Sequence, residues 1–317
     1  MVAQQIPIGI SHCLLGAPVR FDGGHKHWSW CTETLTQYFS FQPICPEVES
    51  GMSIPREPIR QVERSDGIQL VATKNITHDF TEQLSRYSKN KVESLSELSG
   101  FIFMKNSPTC GLERVKVYSE ATQMPQKKGI GIFARYFSEK YPLIPVEDSG
   151  RLQDAAIREN FIARVFIYHQ WNTEIKPNLS SRKLIEFHSK HKFTLLAHCQ
   201  SAYREAGKRL GNLKEESLET IANEYIAIMM RGLRKIASKK NHTNVLQHLI
   251  GFIKEDIEPT QKQEILGSIE EYRNGDIPLL VPITLVRHYI NQYGTPYVKA
   301  QSYWQPHPRA LKLRSSL

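Results

Sequence analysis

The sequence predicts an α/β first half with a mostly parallel sheet, followed by an all-α second half. Three observations carry this. In residues 1–150, short apolar runs that end at Gly or Pro turns alternate with segments of helical spacing. From Leu152 onward the apolar residues recur at helical spacing alone. Between the two, residues 141–150 hold Pro142, Pro145 and Gly150, the composition of a boundary. Domains are therefore expected at residues 1–150 and 151–317.

The elements follow in order. Ile6-Pro7-Ile8-Gly9-Ile10 reads as a strand leading to Cys13. Pro7 has no N–H for a ladder, which places it at the strand's start or on an unpaired side. Phe41-Gln42-Pro43-Ile44 is a second strand, leading to Cys45. Residues 77–87 and 91–98 have helical spacing. Gly100-Phe101-Ile102-Phe103-Met104-Lys105 is the clearest core strand, and it leads to Cys110. The Gly-rich run at residues 129–135 lacks the spacing of a dinucleotide fingerprint and reads as a turn entering a helix. In the second half, residues 154–171 set Ile157, Phe161, Val165 and Tyr168 on one stripe. Residues 184–198, 218–237, 244–254 and 261–273 repeat that pattern without any internal sequence repeat.

A chain of 317 residues suits two domains. No stretch approaches the roughly 20 apolar residues that span a bilayer. The first residues lack a basic segment followed by a long apolar one, so the expected location is the cytoplasm. Five cysteines, an odd number, argue against a disulfide framework and for thiols free to bind metal. The net charge of +9 is unevenly spread. Residues 1–150 hold 16 basic and 16 acidic side chains, so of the chain's 41 and 32 the remaining 25 and 16 fall in residues 151–317. A neutral domain joined to a basic one suggests a reaction site beside a polyanion handle, against the plainer reading of a solvated surface.

Three cysteines stand out. Cys13, Cys45 and Cys110 each follow an apolar run and open onto Gly or Pro, so each sits where a strand ends in a tight turn. Thiols at three strand ends can converge on one point of a parallel sheet's carboxyl edge. Three thiolates would leave a four-iron cluster one ligand short, and the open iron is a Lewis acid. The plainer reading of any one of them is a small buried hydrophobe. Cys31 and Cys199 lack the turn context and are read as structural. Glu47 and Ser107 flank the set, as a candidate base and a candidate hydroxyl donor. Their plainer readings are a helix N-terminal carboxylate and a turn cap before Pro108. Arg20 and Arg56 are candidate clamps for an anionic or carbonyl-bearing ligand, or else surface ion pairs.

In the basic half, Lys190, Lys192, Arg231, Arg234 and Lys235 are the candidate nucleic-acid contacts, with Phe187 and Phe193 beside the first two. His188, His191 and His198 share helical spacing and read as interfacial or RNA-facing in preference to a metal site, since no fourth ligand is evident. The tail from Tyr303 and Trp304 through Arg309, Lys312 and Arg314 mixes aromatics with cations, a mixture suited to stacking and phosphate contacts.

Ser11-His12-Cys13-Leu14-Leu15-Gly16 with Arg20-Phe21-Asp22-Gly23, then Cys45-Pro46-Glu47, then Lys105-Asn106-Ser107-Pro108-Thr109-Cys110-Gly111 resemble the thiouracil desulfidase family over about residues 5–148. Phe187-His188-Ser189-Lys190-His191-Lys192, Asn244-Val245-Leu246-Gln247-His248, Pro278-Leu279-Leu280-Val281-Pro282 and residues 301–306 resemble the YbgA-like domain over about residues 155–314. The fusion is similar to the two-domain tRNA 4-thiouridine desulfidases. The resemblance implies a [4Fe-4S] cluster on Cys13, Cys45 and Cys110, with one open iron site that takes the thiocarbonyl sulfur. It also implies that Glu47 activates water and that Ser107 assists proton transfer or orients substrate. The implied reaction is non-redox hydrolysis of C=S to C=O, with sulfide released and 4-thiouridine in tRNA as substrate. Asn106 and Phe21 depart from the family's usual charged residue and tyrosine. The +9 of the second half favours a polynucleotide substrate over a free base. The rival readings are a desulfidase of free thiouracil or thionucleosides, an RNA-binding protein with a structural metal, and an iron–sulfur redox protein.

Overall fold

In this computed structural model, which describes residues 5–213 and 216–315, the chain divides into two units between Gln153 and Asp154. The first unit runs β1 (Ile6–Ser11), β2 (Phe39–Ile44), α1 (Pro46–Glu49), β3 (Ile59–Arg64), β4 (Gly67–Ala72), α2 (Thr81–Glu93), β5 (Phe101–Phe103), β6 (Val115–Ser119), β7 (Pro125–Gly129), α3 (Ile132–Lys140) and β8 (Val146–Asp148). Four of these strands form a parallel sheet in the order β2-β1-β5-β8. Nearly every residue of β1 is buried, as a central parallel strand covered on both faces must be. Pro7 lies at the second position of β1, close to its start as expected. Gly9 is required there: a Cβ would stand 2.2 Å from the Phe101 ring. That ring stacks on Phe103 at 4.1 Å, and Phe133 and Phe137 of α3 pack against the pair. β1 has β2 on one side and β5 on the other, so the chain leaves their carboxyl ends in opposite directions. The crevice at such a reversal is where open α/β sheets bind ligands.

The second sheet, in the order β4-β3-β6-β7, was not foreseen. Its two antiparallel hairpins are joined by a parallel β3–β6 pair. Asp66-Gly67, at the turn between β3 and β4, was a hairpin signal. The two helical segments expected at residues 77–87 and 91–98 are one helix, α2. The Asn75 side chain accepts from Thr77 N and Asp79 from Thr81 N, and these turns hold the preceding residues out of the helix. The turn at residues 129–135 does enter α3, as expected.

The second unit is all-helical: α4 (Ala155–Gln170), α5 (Ser181–His198), α6 (Gln200–Gly211), α7 (Leu218–Leu233), α8 (Lys239–Ile250), α9 (Pro259–Asn274), α10 (Leu280–Tyr293) and the short α11 (Pro296–Lys299). Asp154, Ser180, Ser217 and Ser238 cap four of them by accepting backbone N–H bonds. The fold class is thus the expected one, with α6, α10 and α11 added. α4 is buried well beyond its predicted stripe, with Glu159, Asn160 and Arg164 also inside. The main core gathers Leu246, Leu249, Ile265, Val286, Ile290 and Tyr303. No helix among the described residues is long and apolar enough to cross a membrane.

Candidate active site

All three predicted cysteines line one cavity of about 370 Å³ at the carboxyl edge of the parallel sheet, together with Glu47, Ser107, Arg20 and Arg56. Cys13 lies on a short 3-10 turn, His12–Leu15, that continues β1. Its carbonyl is held by the N–H of Lys26 at 2.9 Å. Ser11 Oγ accepts from Met104 N at 2.9 Å, which ties the ends of β1 and β5 together. Cys45 is the N-cap of α1, with Pro46 at the first helical position. Its N–H donates to Glu49 Oε1 at 2.8 Å, and Glu49 is in turn fixed by Tyr87 and Lys91 of α2. The Cys110 loop is clamped by the start of α3. Gly131 N donates to Gly111 O at 2.7 Å and Phe133 N to Thr109 O at 2.9 Å. Only glycine fits at 131, where a Cβ would meet the Thr109 carbonyl at 2.5 Å.

Burial raises the pKa of all three thiols, making them weaker acids. Cys13 is pushed up to about 11 by burial and then by Cys45. Cys45 is raised first by burial, and Cys110 well beyond the thiol range by burial. A cation beside them reverses that preference, because a coordinating thiol is deprotonated. The three share a cavity, yet among the described residues no group of three His, Cys, Asp or Glu converges on a position for one metal ion. A donor set of thiols spread around one cavity fits a polynuclear cluster, in which each iron takes its own thiolate. Cys31 is fully buried elsewhere, and Cys199 bonds with Ser201 in the helical unit.

Glu47 and Ser107 belong to one hydrogen-bonded chain. Thr109 Oγ1 donates to Glu47 Oε1 at 2.9 Å and stands 3.0 Å from Ser107 Oγ. With its own proton on Glu47, Thr109 Oγ1 accepts from the Ser107 hydroxyl. Ser107 Oγ also accepts from Cys110 N at 3.1 Å and Thr109 N at 3.3 Å, so it is the turn cap of the plainer reading as well as a cavity group. On the other side of Glu47, Arg56 donates through Nε at 2.8 Å and through Nη2 to the same oxygen, Oε2. The two side chains are only 5% (Arg56) and 13% (Glu47) exposed. Arg56 also donates to Val19 O at 3.0 Å. Its guanidinium is therefore spent on the protein: of the two readings of Arg56 the ion pair holds, although it is nearly buried and not at the surface. Arg20 remains at the cavity, 5.6 Å from the Phe21 ring and loosely paired with Asp22. Thr109 was missed in the sequence, although it stands between Ser107 and Cys110 in the motif that was singled out.

Among the predicted nucleic-acid residues, Lys190 and Lys192 do not share a face. Lys190 and Lys192 are two apart on α5 and point to different sides. Lys190 Nζ donates to Gln170 at 3.1 Å, while Lys192 Nζ lies 5.1 Å from the Tyr297 ring. Arg231 pairs with Glu205 at 2.5 Å, and Arg234 and Lys235 are exposed just beyond α7. Of the two readings of the histidines, interfacial and RNA-facing, the first holds for the two buried ones: His191 is 3% exposed and His198 6%. His191 bonds with Ser302 and Gln170, His198 with Lys235 O, and His188 with Tyr225. The expected stacking aromatics are core as well, with Phe187, Phe193, Tyr303 and Trp304 all buried. Apolar rings outcompete solvent exposure wherever a core can take them.

Comparison with known proteins agrees with this division. Residues 8–149 match the family model described as 2-thiouracil desulfurase. Residues 192–308 match that of a protein of unknown function, DUF1722. An Escherichia coli (strain K12) protein described as uncharacterized protein YbgA is 30% identical over 159 residues, 50% of this chain and 94% of that protein. A solved structure, the [4Fe-4S]-dependent thiouracil desulfidase TudS, is 23% identical, with a TM-score of 0.38 over 47% of this chain and 94% of that one.

Proposed function

The chain belongs to the family of Escherichia coli YbgA and carries a 2-thiouracil desulfurase-like region ahead of its DUF1722 region; from that premise we propose that it is an iron–sulfur-dependent desulfidase of thiolated pyrimidines, with 4-thiouridine in tRNA as substrate. The observation that carries this reading is the pairing of three thiols with an oriented carboxylate in one cavity. Cys13, Cys45 and Cys110 would hold a [4Fe-4S] cluster, which when bound supplies a Lewis acid with affinity for sulfur.

The rest is work for the protein's own side chains. Arg56 and Thr109 fix the Glu47 carboxylate from two sides and leave lone pairs for a water proton. Water attacks the thiolated carbon, the C=S bond is replaced by C=O, and the sulfur leaves as sulfide. The balance is one water in and one hydrogen sulfide out, with no electron donor. Once Glu47 has taken the proton, rotation of the Thr109 and Ser107 hydroxyls reverses the chain, so that Glu47 donates to Thr109, Thr109 to Ser107, and Ser107 to the departing sulfur or the ring nitrogen. The excess of basic side chains after residue 150 supports a polyanionic substrate. The name of the matched family favours a free thiolated base as the second reading.

The test is anaerobic incubation of cluster-reconstituted protein with 4-thiouridine-containing tRNA and, separately, with 2-thiouracil. Loss of the thiocarbonyl near-ultraviolet absorbance with matching sulfide on tRNA is the expected result. Turnover of the free base alone would overturn the tRNA assignment. Cluster-loaded protein inert on both would overturn the desulfidase reading.

A further inference from the structure

The helical unit contains a second cavity, of about 310 Å³, between α10 and the C-terminal segment. Its chemistry is lopsided. Arg287, Arg309, Lys312 and Arg314 line it, and no acidic residue does. Arg314 is already satisfied: its guanidinium donates to Glu159 Oε1 at 2.8 Å and to Tyr303 O at 2.6 Å. Arg287 is not. Its Nη1 is shut off from solvent and has no hydrogen-bond partner among the described residues. Burial, and then the charge of Arg309, weakens its hold on its proton. Two like charges thus face one cavity with no carboxylate in its lining, and an anion there relieves their repulsion. The rest of the lining joins apolar Ile283, Trp304 and Leu313 to polar Thr284, Gln305 and His307. A bare anion would leave that lining unused.

We propose that this cavity binds a phosphate group carried on a flat or apolar body, the chemistry of a nucleotide. Arg287 is the fixed donor from within the helix. Arg309 and Lys312, both exposed, close on the phosphate from the rim. Trp304 and Ile283 take the body. The proposal needs neither the thiols nor any cluster, so it stands or falls apart from the desulfidase reading. The phosphate could be that of a free mononucleotide or one carried by an RNA strand.

The test is calorimetric titration of the full chain with uridine 5′-monophosphate, with uridine, and with a 5′-phosphorylated oligouridylate as competitor. The monophosphate should bind at least about tenfold tighter than uridine. Arg287→Met and Arg309→Gln should each weaken it about tenfold, while Lys262→Gln, outside the cavity, leaves it unchanged. Displacement by the oligonucleotide assigns the site to RNA, and tight monophosphate binding without displacement assigns it to free nucleotides. Equal affinity for nucleotide and nucleoside would overturn the proposal. So would an Arg309→Gln variant that melts like the parent and binds like it, and Arg309 is exposed enough for that variant to fold.

Discussion

The hydroxyl of Thr109 donates to Glu47 Oε1 at 2.9 Å, so the residue preceding one cluster-ligand candidate orients the carboxylate that follows another by two positions. The contact spans two loops from opposite sides of the central strand, and it links the Ser107 turn to the α1 start. Thr109 is buried, with its hydroxyl also 3.0 Å from Ser107 Oγ. Thr109→Val keeps the shape and removes the donor. It should keep the cluster's visible spectrum and lower kcat by about 10–100-fold, the size typical of losing an orienting partner. Thr109→Ser should recover most of the rate. Full activity in the valine variant would mean that Glu47 is held by Arg56 alone.

The three cavity thiols should be separable from the other two by metal content. Cys13→Ser, Cys45→Ser and Cys110→Ser are each expected to lose the iron–sulfur absorbance and the activity together. Cys31→Ala should retain both, because Cys31 is buried away from the cavity. Iron and sulfide assays after anaerobic reconstitution decide this, and a Cys110→Ser protein with full iron content would remove Cys110 from the ligand set.

Glu47 and Arg56 form a nearly buried ion pair, and the two substitutions should differ in kind. Glu47→Gln keeps the shape and hydrogen bonds to Arg56 and Thr109 within reach, so it should fold, bind a cluster and turn over at least 100-fold more slowly. Arg56→Met strands a carboxylate in a closed site, and is expected to cost about 3–5 kcal/mol of stability as well as activity. Urea unfolding beside a rate assay separates the two. A Glu47→Gln enzyme with parental kcat would end the general-base assignment.

Lys190 and Lys192 diverge on α5, so they should not act as one contact. Lys192 lies over rings and Lys190 reaches toward the end of α4. If α5 faces tRNA on one side, one charge reversal will weaken binding and lower the salt slope by about 1 while the other leaves both unchanged. Equal losses from Lys190→Glu and Lys192→Glu in filter binding across a salt series would refute a one-sided contact.

The strands that carry the cysteines could be read in the sequence because a buried parallel strand is a continuous apolar run, and Gly or Pro marks its end. The second sheet escaped because its strands are mixed in polarity: β7 is Pro-Gln-Lys-Lys-Gly, exposed along most of its length, and is a strand through pairing with β6 alone. At the site, residue type and motif pointed to Glu47 and Ser107. They could not point to Thr109, whose bond to Glu47 crosses 62 residues, or to the partner of Arg56, which lies nine residues away across a turn. The pairing of charges in the helical unit was out of reach for a related reason. Composition records how many cations there are and not that Arg209 lies between Glu216 and Glu224, or that Arg314 is folded inward onto Glu159.

The buried histidines make the helical unit acid-sensitive, and the sign follows from their folded state. His188 is held down to about 4, by burial and then Lys192. His191 is held to about 3, by burial and then Lys190 and His188. His242 is held to about 3, by burial and then Arg314 and His198, with Glu159 acting in the opposite sense. Each folded value lies below the ordinary 6.5, so the unfolded chain binds the proton first as pH falls. Stability from these groups is full above about pH 6.5 and declines on acidification toward their folded values, at about 1.4 kcal/mol per pH unit for each histidine. Glu159, pulled far below the carboxylate range by Arg314 and His307 against its own burial, adds a loss of the same sign at lower pH. Urea midpoints followed by helical circular dichroism should therefore fall between pH 7 and pH 5, and fall less in His191→Gln, which keeps a polar partner for Ser302 and Gln170 without a titrating ring. A midpoint that stays level or rises over that interval would show that these rings charge in place, and with that the buried hydrogen bonds of α5 and α8 could not be as closed as they stand.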